Sequence, residues 1–144
     1  ARMMYTFMKQ VVINKSRLGG INARGSDFSF SKLTEVDLKG CILKYADLNS
    51  CTFKQVSLKN SNLIGVELKD AQCQDIDWEE ANLEGSDMTY ANMEGGNLKN
   101  AFLLEANLHG TNFSNANLSD AYLVDANIAK AITKGANLEN TILA

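Results

Sequence analysis

Proline is absent, histidine and tryptophan occur once each, and no Gly/Ser-rich stretch interrupts the 144 residues. With no linker to divide it, a chain of this length is read as one domain. Its hydrophobic share of 45% is enough for a sizeable core. No run of about 18 apolar residues occurs, so no membrane-spanning helix is expected. The opening RMMYTFMKQVVI is broken by Lys9 and Gln10 and makes a poor secretory signal. Positive charge is not in excess. A formal net charge of -3 argues against binding phosphates over the whole surface, so direct nucleic-acid binding is not expected. The three cysteines, Cys41, Cys51 and Cys73, are odd in number and form no CxxC site. They read as buried free thiols in a reducing compartment, and a cytoplasmic location follows. Metal ligands are missing too: there is no histidine pair and no twelve-residue calcium loop. The glycines form no phosphate-cradling loop. No cofactor or metal is expected.

What the chain has is a repeat. The segment ANLHGTNFSNANLSDAYLVDAN, residues 106–127, places a small residue, an Asn and a large apolar residue, then starts again five residues on. From Phe28 to Leu143 every fifth residue forms a central column of 24, and only Cys73 and Thr133 in it are not large and apolar. Two places earlier runs a second column, from Ser26 to Thr141, uncharged and mostly small. Between the columns, Asn or Asp fills 14 of 24 places. An α-helix cannot use this period, because five residues advance about 500° and smear the leucines around the cylinder. A flat strand cannot either, because an odd period points successive leucines to opposite faces. The conflict disappears if the chain turns a corner in every repeat. The small and large residues then both face inward, and the residue between them faces out. Such turning winds a solenoid whose coils stack about 4.8 Å apart. The period alone leaves three or four sides open.

ADLNS at 46–50, ANLEG at 81–85, ANLHG at 106–110, ANLSD at 116–120 and ANLEN at 136–140 settle the resemblance. The pattern resembles the pentapeptide-repeat family, whose unit is summarised as A(D/N)LXX. The resemblance covers at least residues 26–143. It implies an all-β, right-handed quadrilateral β-helix with four repeats per coil, hence about six to seven coils. Residues 26–144 form the β-helix in this reading. Residues 1–25 fit the phase more loosely, through Met3, Met8, Ile13 and Leu18, and are expected to form a degenerate first coil or an N-terminal cap. Stacked Asn side chains are expected to bond along the coils, and glycines such as Gly40, Gly65 and Gly85 to supply corners with positive φ. Two irregularities stand out. Ile76 and Trp78 bring excess volume, which should bulge a wall or pair with a deficit such as Cys73. Thr133 at a central place should mark a slip or an outward-turned side chain.

Chemistry is thin. His109 falls at a corner, is expected to be exposed, and stacks between positions 89 and 129, Thr89 and Ala129, neither of which completes a dyad. Acidic pairs sit on convex walls rather than in a cleft. An enzyme is therefore not expected.

The surface carries more information. Residues 1–59 hold ten Lys or Arg against four acids, and residues 60–144 hold four against thirteen. Acids such as Glu67, Asp77, Glu79, Glu84 and Asp87 form a negative belt at mid-length. In coils of 20, one wall carries outward Ile42, Ile64, Phe102, Leu104, Tyr122, Val124 and Ile142. These two features point to a protein-interaction scaffold whose partner is another protein or a second copy of itself. The resemblance offers an alternative, since some relatives mimic duplex DNA and bind a type II topoisomerase. Here the basic N-terminal half departs from that pattern. Ends that open on Ala1-Arg2 and stop in mid-pattern also fit a repeat domain of a larger bacterial secreted effector or signalling protein.

Overall fold

The chain turns through four repeats and returns above itself after 20 residues. In the computed structural model, which describes residues 1–144, bridges join Arg2 to Asn22, Asn22 to Ile42, and so on up to Tyr122 with Ile142. All bridges are parallel and keep the same 20-residue offset. The result is a right-handed quadrilateral β-helix. Seven coils run from 1–20 to 121–140, giving a rod about 34 Å long at the usual strand spacing. The first wall holds residues 1–5 of the first coil and their equivalents every 20 residues; the second, third and fourth walls follow in chain order. Residues 1–20 already keep the full register, through Arg2–Asn22, Phe7–Asp27 and Arg17–Asp37.

The five-residue period follows from where each backbone N–H goes. The small residue at the first place donates to the central carbonyl of the preceding repeat, as in Ala46 N–H to Leu43 O at 2.9 Å, which closes the corner. The second, third and fifth places bond to neighbouring coils. Examples are Ile42 N–H to Ile21 O, Leu43 N–H to Asn62 O, both 2.8 Å, and Tyr45 N–H to Ile64 O at 2.9 Å. That leaves the fourth place without a backbone acceptor. The Asn or Asp two residues earlier supplies one: all fifteen such residues from Asn22 to Asn137 accept the fourth-place N–H at Oδ1. This Asx turn is the chief reason for the amide column, because an unmade bond there costs free energy. Interstrand ladders also form, with Asn112, Asn117 and Asn127 donating to Asn92, Asn97 and Asn107 at 3.2, 3.4 and 3.0 Å.

Every fifth place from 5 to 140 has φ between 48° and 72°. Glycine fills eight of these corners, and none of the other twenty residues is β-branched, the class for which this region is most strained. The third wall differs in its first four coils, where the closing bond is not made after Ile13, Leu33, Phe53 and Cys73. Around the first three of these the chain stays extended. These stretches are strands β1 (Val12–Asn14), β2 (Lys32–Thr34) and β3 (Thr52–Lys54), paired in parallel with Ile13 opposite Leu33 and Leu33 opposite Phe53.

The interior is one cluster of 36 buried hydrophobic residues. Leu83 and Leu103 are fully buried and Leu123 is 6% exposed, as the inward-column reading requires. Most first-place hydroxyls and thiols are bonded there, although Ser86 Oγ is buried without a partner. Ser61 Oγ and Thr111 Oγ1 donate to Leu38 O and Met88 O at 2.9 and 2.8 Å, and Cys51 Sγ to Phe28 O at 3.0 Å. Each partner lies 23 residues back and already accepts a corner bond, so the carbonyl uses both lone pairs.

Ile76 and Trp78 do not bulge the wall: Ser57, Asp77 and Asn97 bridge in unbroken register. The volume is absorbed inside. Trp78 reaches Phe53 of the coil below, ring centroids 6.3 Å apart and edge to face, into space left by the small Cys73. Above Ile76 stands Gly96, where a Cβ would lie 3.5 Å from Ile76 O and 3.0 Å from Met93 O. Thr133 causes no slip either. Ile132 still bridges Asn112, and Ala136 N–H still bonds Thr133 O at 3.0 Å.

Candidate functional site

The walls are flat, so any site on them is a surface rather than a cleft. Outward side chains come from the second and fourth places of each repeat. On the first wall the second-place column reads Arg2, Asn22, Ile42, Asn62, Asn82, Phe102, Tyr122, Ile142, and the fourth reads Met4, Arg24, Lys44, Ile64, Glu84, Leu104, Val124. The apolar residues Ile42, Ile64, Phe102, Leu104, Tyr122, Val124 and Ile142 do share this wall, but not as one stripe. Asn62, Asn82 and Glu84 interrupt it, and the continuous patch is confined to the last coils.

There Phe102 and Tyr122 stack with centroids 5.1 Å apart and planes within 7°. The coil spacing dictates this: two rings in one column, about 4.8 Å apart, have little choice but to lie parallel. Phe102 is 41% exposed, Tyr122 38% and Ile142 39%, with Leu104 and Val124 half-buried beside them. Along one edge a shallow groove of about 450 Å³ runs between the two rings and Asn60, Glu80 and Asn100. Glu105 and Asp125 occupy the corners on the other edge. The patch is thus apolar with an acidic rim.

The belt acids are not gathered into one surface. Glu67 and Asp87 stand on the second wall, Asp77 and Glu79 on the fourth, and only Glu84 on the first. Several are already engaged: Glu79 with Lys59 at 2.9 Å, Asp87 with Lys69 at 3.3 Å, and Glu67 with Asn49 Nδ2 at 2.7 Å. Partial burial opposes ionisation of Asp87, but bonds from Thr89 and Lys69 outweigh it and hold the carboxyl below its ordinary value. A belt spread over opposite walls can shape the field of the rod, but it cannot touch one partner at once.

His109 is half-buried rather than exposed, because the Tyr90 ring meets it edge-on at 5.5 Å. Tyr90 itself covers Gly110, and Tyr5 and Tyr45 likewise cover Gly25 and Gly65, each one coil on. A tyrosine at one corner needs a glycine above it, since a Cβ on Gly65 would stand 2.5 Å from Tyr45 Cδ1. Sequence reasoning missed these pairs. The signal was present as Tyr at i and Gly at i+20, visible only when the chain is written in rows of 20. The three thiols are fully buried, and burial pushes Cys41 up to about 11 and Cys51 up to about 12, which keeps them protonated and unreactive. No group of three His, Cys, Asp or Glu side chains is arranged to hold a metal ion. No helix is long and apolar enough to cross a membrane.

Two family models match the chain. One, described as a pentapeptide repeat region, matches residues 31–108, and one, described as pentapeptide repeats (8 copies), matches residues 8–44 and 106–144. Among solved structures, the chain is similar to a pentapeptide repeat protein from the thylakoid lumen of Arabidopsis thaliana. Identity is 27% and the TM-score 0.62, over 71% of this chain and 68% of that one. It is similar in fold to HetL of the cyanobacterium Nostoc sp. strain PCC 7120, a protein involved in heterocyst differentiation regulation, at 18% identity and a TM-score of 0.40 over 96% and 90% of the two chains. Full-length QnrB1, a plasmid-mediated fluoroquinolone resistance protein, gives 16% and 0.47 over 94% and 85%. No curated protein sequence matches significantly.

Proposed function

The chain belongs to the pentapeptide-repeat family, and from that premise we propose that it is a non-catalytic scaffold that offers its first wall to another protein. The observation that carries this is the stacked, exposed Phe102–Tyr122 pair on a flat wall, with Leu104, Val124 and Ile142 around it. Within the monomer the two rings stabilise only one another and leave their outer edges in water, whereas a partner that covers them removes apolar area at about 25 cal/mol per Å². Aromatic side chains are also the residues that dominate interface energetics. The acidic rim of Glu84, Glu105 and Asp125 orients a partner of opposite charge and raises the encounter rate.

The DNA-mimic reading has weaker support. A rod imitating a duplex needs acids along its length, and the first 59 residues carry an excess of six positive charges.

The test is capture of proteins on the immobilised chain with and without Phe102→Ser/Tyr122→Ser. Both side chains point outward, so the variant should melt as the parent does but lose its bound proteins. An unchanged set of captured proteins would show that the contact lies on another wall.

A further inference from the structure

The first wall divides into two halves of opposite charge. Coils one to three place Arg2, Arg24 and Lys44 on it and no acid. Coils five to seven place Glu84, Glu105 and Asp125 on it or its corner and no cation. The fourth coil between them contributes only the uncharged Asn62 and Ile64. None of these six charged groups has an ion-pair partner within the chain; the two salt bridges join Lys59 to Glu79 and Lys69 to Asp87.

We propose that this wall pairs with the same wall of a second copy, the two rods antiparallel about a two-fold axis through Ile64. The proposal rests on the reading of the first wall as the contact surface and names its occupant. An antiparallel two-fold sets coil one against coil seven, two against six and three against five. Lys44 then faces Glu84, Arg24 faces Leu104 beside Glu105, and Arg2 faces the Tyr122 ring. Met4 meets Val124, and Ile64 meets its own copy. Each contact off the axis occurs twice, as an isologous interface requires, and the Ile64 contact on the axis occurs once. Parallel rods would set cation on cation and acid on acid, which is costly. The area suffices: a quarter of the 7059 Å² surface is at most about 1,800 Å² per wall, against roughly 800 Å² per partner in a stable interface.

Sedimentation equilibrium tests this on the full chain. The expected result is reversible association of the 15.8 kDa chain to twice that mass, weakened by salt. Lys44→Glu and Glu84→Lys should each raise the dimer dissociation constant about tenfold or more, since each places like charges together twice. Combining them should restore the parent value, while at dilutions where the parent is monomeric all three should melt as it does. A chain that remains monomeric up to about 1 mM, the weak end of specific association, overturns the proposal. So does a dimer in which the combined variant is no tighter than either single one. If the monomer persists while Phe102→Ser/Tyr122→Ser still abolishes capture, the first wall serves a different protein and only self-association is lost.

Discussion

Gly65 and Gly85 occupy the same place in their repeats and share a φ near 64°, yet they answer to different constraints. At Gly85 an added Cβ meets nothing within 4 Å, so Gly85→Ala pays only for the left-handed backbone, about 1–2 kcal/mol. At Gly65 the Cβ would strike the Tyr45 ring, so Gly65→Ala should cost about 1 kcal/mol more. Urea denaturation should show that excess, and it should vanish when Tyr45→Ala is the background for both. The Asx bond is the other residue-scale term. Asn107→Ala leaves His109 N–H without its 3.3 Å acceptor and removes the ladder partner of Asn127, for an expected loss of about 1 kcal/mol. Both terms were half-legible in the sequence. The amide column and the corner glycines were plain, but an expectation of interstrand ladders alone overlooked the fourth-place N–H that every Asn or Asp accepts.

At the scale of the stacked column, packing overrides the repeat pattern. Cys73→Leu would make the sequence more regular, yet it should destabilise by about 1–3 kcal/mol, because Trp78 and Phe53 already fill that space. Adding Trp78→Leu to Cys73→Leu should recover most of the loss, and urea midpoints of the single and double variants would show it. The second wall stacks Asp27, Asp47, Glu67 and Asp87 in adjacent coils. Bonds from the Ser29 hydroxyl and N–H hold Asp27 below its ordinary value, so it stabilises the fold at neutral pH and loses that effect as pH falls through its lowered pKa. Asp47 runs the other way. Burial raises it, the Asn49 N–H opposes, and the Asp27 and Glu67 charges add to the rise. Its cost appears as pH climbs past the ordinary carboxylate range and is complete above its raised pKa. Asp47→Asn keeps the acceptor for Asn49 and should stabilise the protein at pH 7 by about 0.5 kcal/mol, the scale of a like-charge cross-strand pair. The gain should fade below about pH 4, where the parent carboxyl is protonated.

For the whole molecule, a solenoid in which each coil touches only its neighbours opens from its ends. Ile128 is 48% exposed and Leu138 46%, and Met3, Met8, Ile13 and Leu18 are only half-buried, whereas the central coils are sealed. Amide hydrogen exchange should therefore be fast in coils one and seven and slowest from coil three to coil five. Cys41, Cys51 and Cys73 lie in that slow region with no exposed surface, so their reaction with a thiol reagent should follow global unfolding and not end fraying. A prompt reaction in native buffer would show that the central coils open on their own.

The sequence by itself determined that the chain winds into a solenoid, because a five-residue period of inward apolar places suits neither a helix nor a flat strand; the period left three or four sides open, and the resemblance supplied the four. It also determined which wall is apolar, once the coil was taken as four-sided. What it could not fix were relations 20 residues apart. The tyrosine rings over glycines, the compensation of Trp78 by Cys73, the half-burial of His109 and the scatter of the acidic belt over three walls are all of this kind. So is the division of the first wall into cationic and acidic halves. Only stacking the coils about 4.8 Å apart brings these side chains within reach of one another, and only then do their volumes and charges interact.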